Sequence, residues 1–158
     1  MVERVEVAVA EQVIEHEVTS AAPPGAVYAL LVDGSTWPSW TDFDSFELVD
    51  AGDGVPEGVG AVRIFHTKRI SSRERVVRAE PDRLFSYVLE SGMPLRDYVA
   101  VVTLTPNGTG TTIRWRSTFR VKFPGTGWLY KSQLGRFIGQ VAKDLAVAAE
   151  RSRVEGQA

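Results

Sequence analysis

The sequence predicts an α+β fold, an antiparallel meander of strands closed on one face by a long C-terminal helix. Three observations carry it. Residues Thr111 to Lys122 alternate with period 2, shorter strand patterns follow one another from Phe43 to Leu104, and an apolar stripe at helical spacing runs from Gly127 to Arg153. With 158 residues the chain is expected to form one domain over 1–158.

The first element is β-rich, Val5 to Val18, with a slip in its alternation near Glu11 to Val13 that predicts a bulge. Pro23 to Leu31 reads as a short helix: Pro24 suits a first turn, and Val27, Leu30 and Leu31 share a face. A second short turn is expected at Ser35 to Trp40. Phe43 to Val49 is a weaker strand, followed by a Gly/Asp/Pro loop from Ala51 to Gly58. Val59 to His66 and Ile70 to Ala79 are two strands joined at Thr67-Lys68, and Leu84 to Leu89 follows the turn Glu80 to Arg83. Tyr98 to Leu104 and Thr111 to Lys122 flank Pro106-Asn107-Gly108-Thr109-Gly110, and Asn-Gly between strand patterns is a hairpin signal. In the final helix, Tyr130, Leu134, Phe137, Ile138, Val141, Leu145 and Ala148 recur at steps of three and four. A sheet curved around a single helix leaves room between them, and such concave sites take ligands.

Composition narrows the function. The net charge of −2 provides no global field for phosphate backbones, so no nucleic acid is expected. The absence of cysteine removes disulfides, thiolate metal sites and Cys nucleophiles, and two histidines make no metal centre. No metal and no cofactor are expected. The N-terminus lacks a signal-peptide pattern, and no run approaches the ~20 apolar residues needed to span a bilayer. The expected location is cytoplasmic.

The segment Pro23-Pro24-Gly25-Ala26-Val27-Tyr28-Ala29-Leu30-Leu31-Val32-Asp33, followed by Trp37-Pro38-Ser39-Trp40, resembles the opening of the START/Bet v 1-like superfamily, in particular its polyketide cyclase/dehydrase branch. The stretches Arg73-Glu74-Arg75-Val76-Val77, Arg83-Leu84-Phe85-Ser86-Tyr87, Gly92 to Tyr98 and Gly110 to Trp115 fit as well, so the resemblance covers nearly the whole chain. It implies the helix-grip fold, a curved seven-stranded antiparallel sheet around the C-terminal helix, and a hydrophobic small molecule or polyketide intermediate as ligand. It implies no catalytic residue, because the branch has no short catalytic motif. Cyclase chemistry and non-enzymatic lipid carriage or sensing both remain open.

Parity selects the cavity-facing side chains. Ile113, Trp115, Ser117 and Phe119 share one face of the last strand, and Tyr98, Ala100, Val102 and Leu104 share one face of its neighbour. A two-residue loop at Thr67-Lys68 pairs Arg63 with Ser72 and Ala61 with Glu74, placing Arg63, Phe65, Ser72, Glu74 and Val76 inward. Arg63 and Glu74 are therefore the candidate catalytic pair, a cation for a ligand anion beside a base; the alternative is a buried pair that fixes register. The candidate ligand-binding residues are His16, Trp37, Trp40, Phe65, Tyr87, Tyr98, Trp115, Phe119, Leu134, Phe137, Ile138 and Val141. Trp37 and Trp40 fit either an entrance or a plug, and His16 either a catalyst or a core residue. The small residues Gly135, Gly139, Ala142, Ala146 and Ala149 allow the close approach of a ligand or of a strand. Arg114, Arg116, Arg120 and Lys122 form a basic ladder, suited to an acyl carrier protein, to anionic lipid or to plain solvation.

Overall fold

Seven strands form a single antiparallel sheet in the computed structural model, which describes residues 10–53 and 57–155. They are β1 (Gln12–Ser20), β2 (Ser45–Asp50), β3 (Val62–His66), β4 (Ser71–Glu80), β5 (Leu84–Ser91), β6 (Leu95–Pro106) and β7 (Thr111–Val121). Their order across the sheet is β1-β7-β6-β5-β4-β3-β2, so every sequential pair from β2 to β7 is adjacent and β1 closes the far edge. Between β1 and β2 lie α1 (Pro24–Val32), a 3₁₀ turn (Gly34–Thr36) and α2 (Trp37–Trp40). The chain ends in α3 (Gly127–Glu155), packed across the concave face. The expected architecture is the observed one. Among the described residues no helix is long and apolar enough to cross a membrane.

The inward parities hold. On β7, Ile113, Trp115, Ser117 and Phe119 are buried, and on β6 so are Tyr98, Ala100, Val102 and Leu104. On α3, Leu134, Ile138, Val141 and Leu145 are buried against the sheet.

Three local expectations change. β1 pairs with β7 in unbroken register from Gln12↔Phe119 to Ser20↔Thr111, so there is no bulge at Val13; the alternation slips there because the strand begins at Gln12. Val5 to Val9 of that expected strand lie outside the described residues. β3 begins at Val62, because Gly58–Ala61 close a turn, with Ala61 N donating to Gly58 O at 2.9 Å. The β3–β4 loop has four residues, Thr67–Ile70, closed by Thr67 N donating to Ile70 O at 2.8 Å. Arg63 is therefore opposite Glu74, and Phe65 opposite Ser72. The pairing slides by an even number of residues, so no side chain changes face.

β4 and β5 depart from regular pairing twice, between Arg73 and Glu74 and between Val76 and Arg78. The extra residue sits on β5 at the first shift and on β4 at the second, so the short segment Glu74–Val76 is offset by one position and regular pairing resumes beyond it.

The small-residue stripe of α3 faces β1. Ser20 Oγ donates to Ala146 O at 2.8 Å, and His16 Nε2 donates to Gly135 O at 2.7 Å. A Cβ on Gly139 would lie 2.9 Å from His16 Cε1, so the glycine permits the helix to lie this close to the strand.

Candidate functional site

A cavity lies between the concave face of the sheet and the first half of α3. Its floor is Ser72 and Glu74 on β4, Tyr87 and Leu89 on β5, Tyr98 on β6 and Trp115 on β7. Its roof is Leu134, Phe137, Ile138 and Val141 of α3, and its sides are Trp37, Phe43 and Met93. The space open to the centre of a water-sized sphere is about 40 Å³. One water needs ~10–15 Å³ on that measure, so about three waters fill it. That is less room than a single aromatic ring requires, since the dry cavity that admits benzene is about 150 Å³. The polycyclic guest expected from the sequence therefore enters only if the mouth opens. Phe137, 40% exposed and edge-on to Phe43 at 5.6 Å, together with the half-buried Met93, forms the rim.

The polar groups form a row across the sheet. Tyr98 Oη and Ser117 Oγ are 3.0 Å apart. Burial pushes the Tyr98 hydroxyl up to about 12, against the opposing pull of its Ser117 hydrogen bond. Burial, then the negative character of Tyr98 and Glu74, pushes Tyr87 well above the ordinary phenol value. Both hydroxyls stay protonated near neutrality and so each carries a proton to donate. The Trp115 indole N–H, also buried, has no partner among the described residues. A buried donor left open this way fits a carbonyl or a water in the cavity.

Glu74 ends the row. Its carboxyl is pushed up to about 7, first by burial, with the attraction of Arg63 opposing. The compensation is partial because Arg63 Nη2 stands 3.5 Å from Glu74 Oε1, an ion pair without hydrogen-bond geometry.

Arg63 is fully buried and does not line the cavity. Its Nη1 donates to Leu31 O at 2.9 Å and to Glu57 Oε1 at 3.2 Å. Its guanidinium carbon lies 5.0 Å from the rings of Trp37, Phe65 and Phe85. This shielding corrects the expectation that Arg63 meets a ligand anion: the guanidinium acts through Glu74, from behind the wall. Glu57 was not expected here. It stands near the end of the Gly/Asp/Pro loop expected from Ala51 to Gly58, with φ at +58°, and its carboxylate accepts from Gly34 N at 2.8 and 3.0 Å as well as from Arg63. Burial raises its pKa, with Arg63 and the Gly34 amide opposing.

The remaining expected residues divide. Trp37 lines the cavity; its Nε1 donates to Leu30 O at 3.0 Å, so it is wall and plug at once. Trp40 is outside the lining, half-buried against Trp37 with ring centroids 5.1 Å apart. Phe65 lies beneath Trp37 at 4.7 Å, and Phe119 stacks behind Tyr98 at 6.2 Å, so both support lining residues instead of facing a guest. His16 lies against α3, outside the cavity. Ser72, placed inward by parity, lines it too; Phe43, Leu89 and Met93 line it without having been singled out, and Leu89 shares parity with Tyr87.

The family model described as "Polyketide cyclase / dehydrase and lipid transport" matches residues 11–150. The chain belongs to this family. Solved structures agree on the fold. A START superfamily protein from Mycobacterium smegmatis superposes with a TM-score of 0.75 at 15% identity, over 88% of this chain and 97% of that one. Norcoclaurine synthase from Thalictrum flavum, in complex with dopamine and hydroxybenzaldehyde, gives 0.70 at 16% identity, over 94% and 90%. Ara h 8.0201 gives 0.69 at 19% identity, over 92% and 99%. No curated protein sequence matches this chain. At these identities the likenesses establish the START/Bet v 1 fold alone.

Proposed function

We propose that this family member binds a small aromatic ketone or polyketide intermediate in the sheet–helix cavity and catalyses its aldol cyclisation or dehydration, with Glu74 as the acid–base group. One observation carries the reading: an apolar cavity contains one carboxyl, and that carboxyl titrates at about 7. A general base works best when its pKa lies near the operating pH. In this scheme the Glu74 carboxylate takes a proton from the methylene between two carbonyls. The enolate carbon attacks a second carbonyl of the same chain, and the new alkoxide takes a proton back. Loss of water then needs a second proton from the same carbon, delivered to the departing hydroxyl. Tyr87 and Tyr98 supply hydrogen bonds to the enolate oxygen, and the cavity, once its mouth has opened to admit the chain, holds it folded. A chain tethered to an acyl carrier protein would reach Glu74 through the Phe137–Met93 mouth.

A second reading, carriage without chemistry, is favoured by the shielding of Arg63, which leaves the guest no cation to bind. The two separate in a single-turnover assay with a poly-β-ketone mimic. Glu74→Gln is expected to lose cyclisation and keep binding, and Glu74→Asp to retain part of the rate. Equal product formation by wild type and Glu74→Gln would overturn the catalytic reading. A stoichiometric lipid retained in native mass spectrometry, with no turnover, would establish the carrier.

A further inference from the structure

The net charge of −2 conceals an uneven spread of charge along the sequence. Seven of its 18 basic residues, and none of its 20 acidic ones, lie between Tyr98 and Lys143. Part of this charge is already used, because Arg114 and Arg116 both reach Glu15 on β1, at 2.9 and 3.6 Å. Lys122 and Lys131 are exposed and have no acidic partner among the described residues. They flank the turn between β7 and α3, where two large aromatic side chains face outward, Phe123 at 56% exposure and Trp128 at 73%. The turn is well formed: Thr126 Oγ1 donates to Phe123 O at 2.6 Å, and the first amides of α3 donate to Thr126 O at 3.1 and 3.2 Å. Its aromatic residues are therefore displayed outward on a hydrogen-bonded turn.

The tip adjoins the cavity mouth. Lys122 N donates to Pro94 O at 3.1 Å, next to Met93 of the rim. Leu129 and Phe137 are both exposed on α3, eight residues apart, with the exposed Ser132, Gln133 and Arg136 between them.

We propose that the β7–α3 turn and the first turns of α3 dock on an anionic lipid surface, holding the cavity mouth against the bilayer. Aromatic side chains flanked by lysines are what the interfacial region of a membrane accommodates: rings at headgroup depth, ammonium groups at the anionic surface. The two lysines without an acidic partner supply the charge that complements an anionic lipid surface beside the exposed rings. This goes beyond the cavity chemistry above and does not depend on it.

The test is flotation of the purified protein with vesicles of phosphatidylcholine alone or mixed with phosphatidylglycerol. Binding is expected to the mixed vesicles only and to weaken with salt. Tryptophan emission should shift to the blue, and the shift should be lost in Trp128→Phe, since Trp37 and Trp115 are already buried and Trp40 is half-buried against Trp37. Lys122→Gln with Lys131→Gln should weaken partitioning about 25-fold, at about fivefold for each basic residue near the surface. Phe123→Ser with Trp128→Ser should abolish it without changing the melting temperature. No flotation with either vesicle, or undiminished flotation of the serine variant, would overturn the proposal. So would capture by an acidic acyl carrier protein without vesicle binding, which would assign the tip to a protein partner instead.

Discussion

Replacing Glu74 with glutamine should remove a pH dependence of stability that the fold builds in. The folded carboxyl titrates at about 7 against an ordinary 4.5. Below that ordinary value the group is protonated in both the folded and the unfolded chain and has no effect. Between the two values the folded protein holds the proton while the unfolded chain has released it, so stability falls as pH rises. Above about 7 the loss is complete, and a gap of roughly 2.5 pH units corresponds to about 3 kcal/mol. For a chain of this length that is on the order of 10 °C in melting temperature. The assay is urea denaturation of wild type and Glu74→Gln from about pH 5 to about pH 8. The carboxyl of Glu57, also raised, contributes a slope of the same sign to both proteins, so the difference between the two curves isolates Glu74. Parallel curves would refute the account of Glu74 as a desolvated, half-compensated carboxyl.

Two further outcomes follow from the same contacts. Arg63→Met leaves Glu57 and Glu74 buried without their shared cation; a loss of about 3–5 kcal/mol is expected near neutral pH, partly recovered when Glu74→Gln is added, as measured by chemical denaturation. Gly135→Ala and Gly139→Ala should have opposite signs although they are one helical turn apart. A Cβ at Gly135 meets nothing within 4 Å and should gain up to about 1 kcal/mol of helix propensity, whereas at Gly139 it meets His16 at 2.9 Å and should cost about 1–3 kcal/mol in denaturation midpoint terms.

Side-chain parity was the most readable property of the sequence. The alternation through Trp115 and Tyr98 fixes which residues face the helix whatever the loop lengths, and even the misjudged β3–β4 loop left Arg63 and Glu74 on the inner face. Depth along that face was not readable. Arg63 and Glu74 share a face and a pair position, yet only Glu74 reaches the cavity, because Trp37 on α2 and Phe85 on β5 cover the guanidinium from elements far from β3 in sequence. Glu57 carried no signal at all: it sits in a Gly/Pro-rich loop without periodicity, and only the tertiary fold brings it to the Gly34 amide and to Arg63. The cavity's small size was equally hidden, since it is the difference between sheet curvature and the volumes of a dozen side chains.

The paired irregularities of β4 and β5 give this scaffold an unusual latitude. Because the slip entered beside Glu74 is undone beside Val77, the strands on either side keep their partners while the three residues between ride out of step with the rest. A descendant could lengthen or shorten that displaced tract, carrying its acidic group to a new spot above the floor, without disturbing a single distant rung of the ladder. Changes of substrate within the family have, in this tract, a route that leaves the architecture untouched.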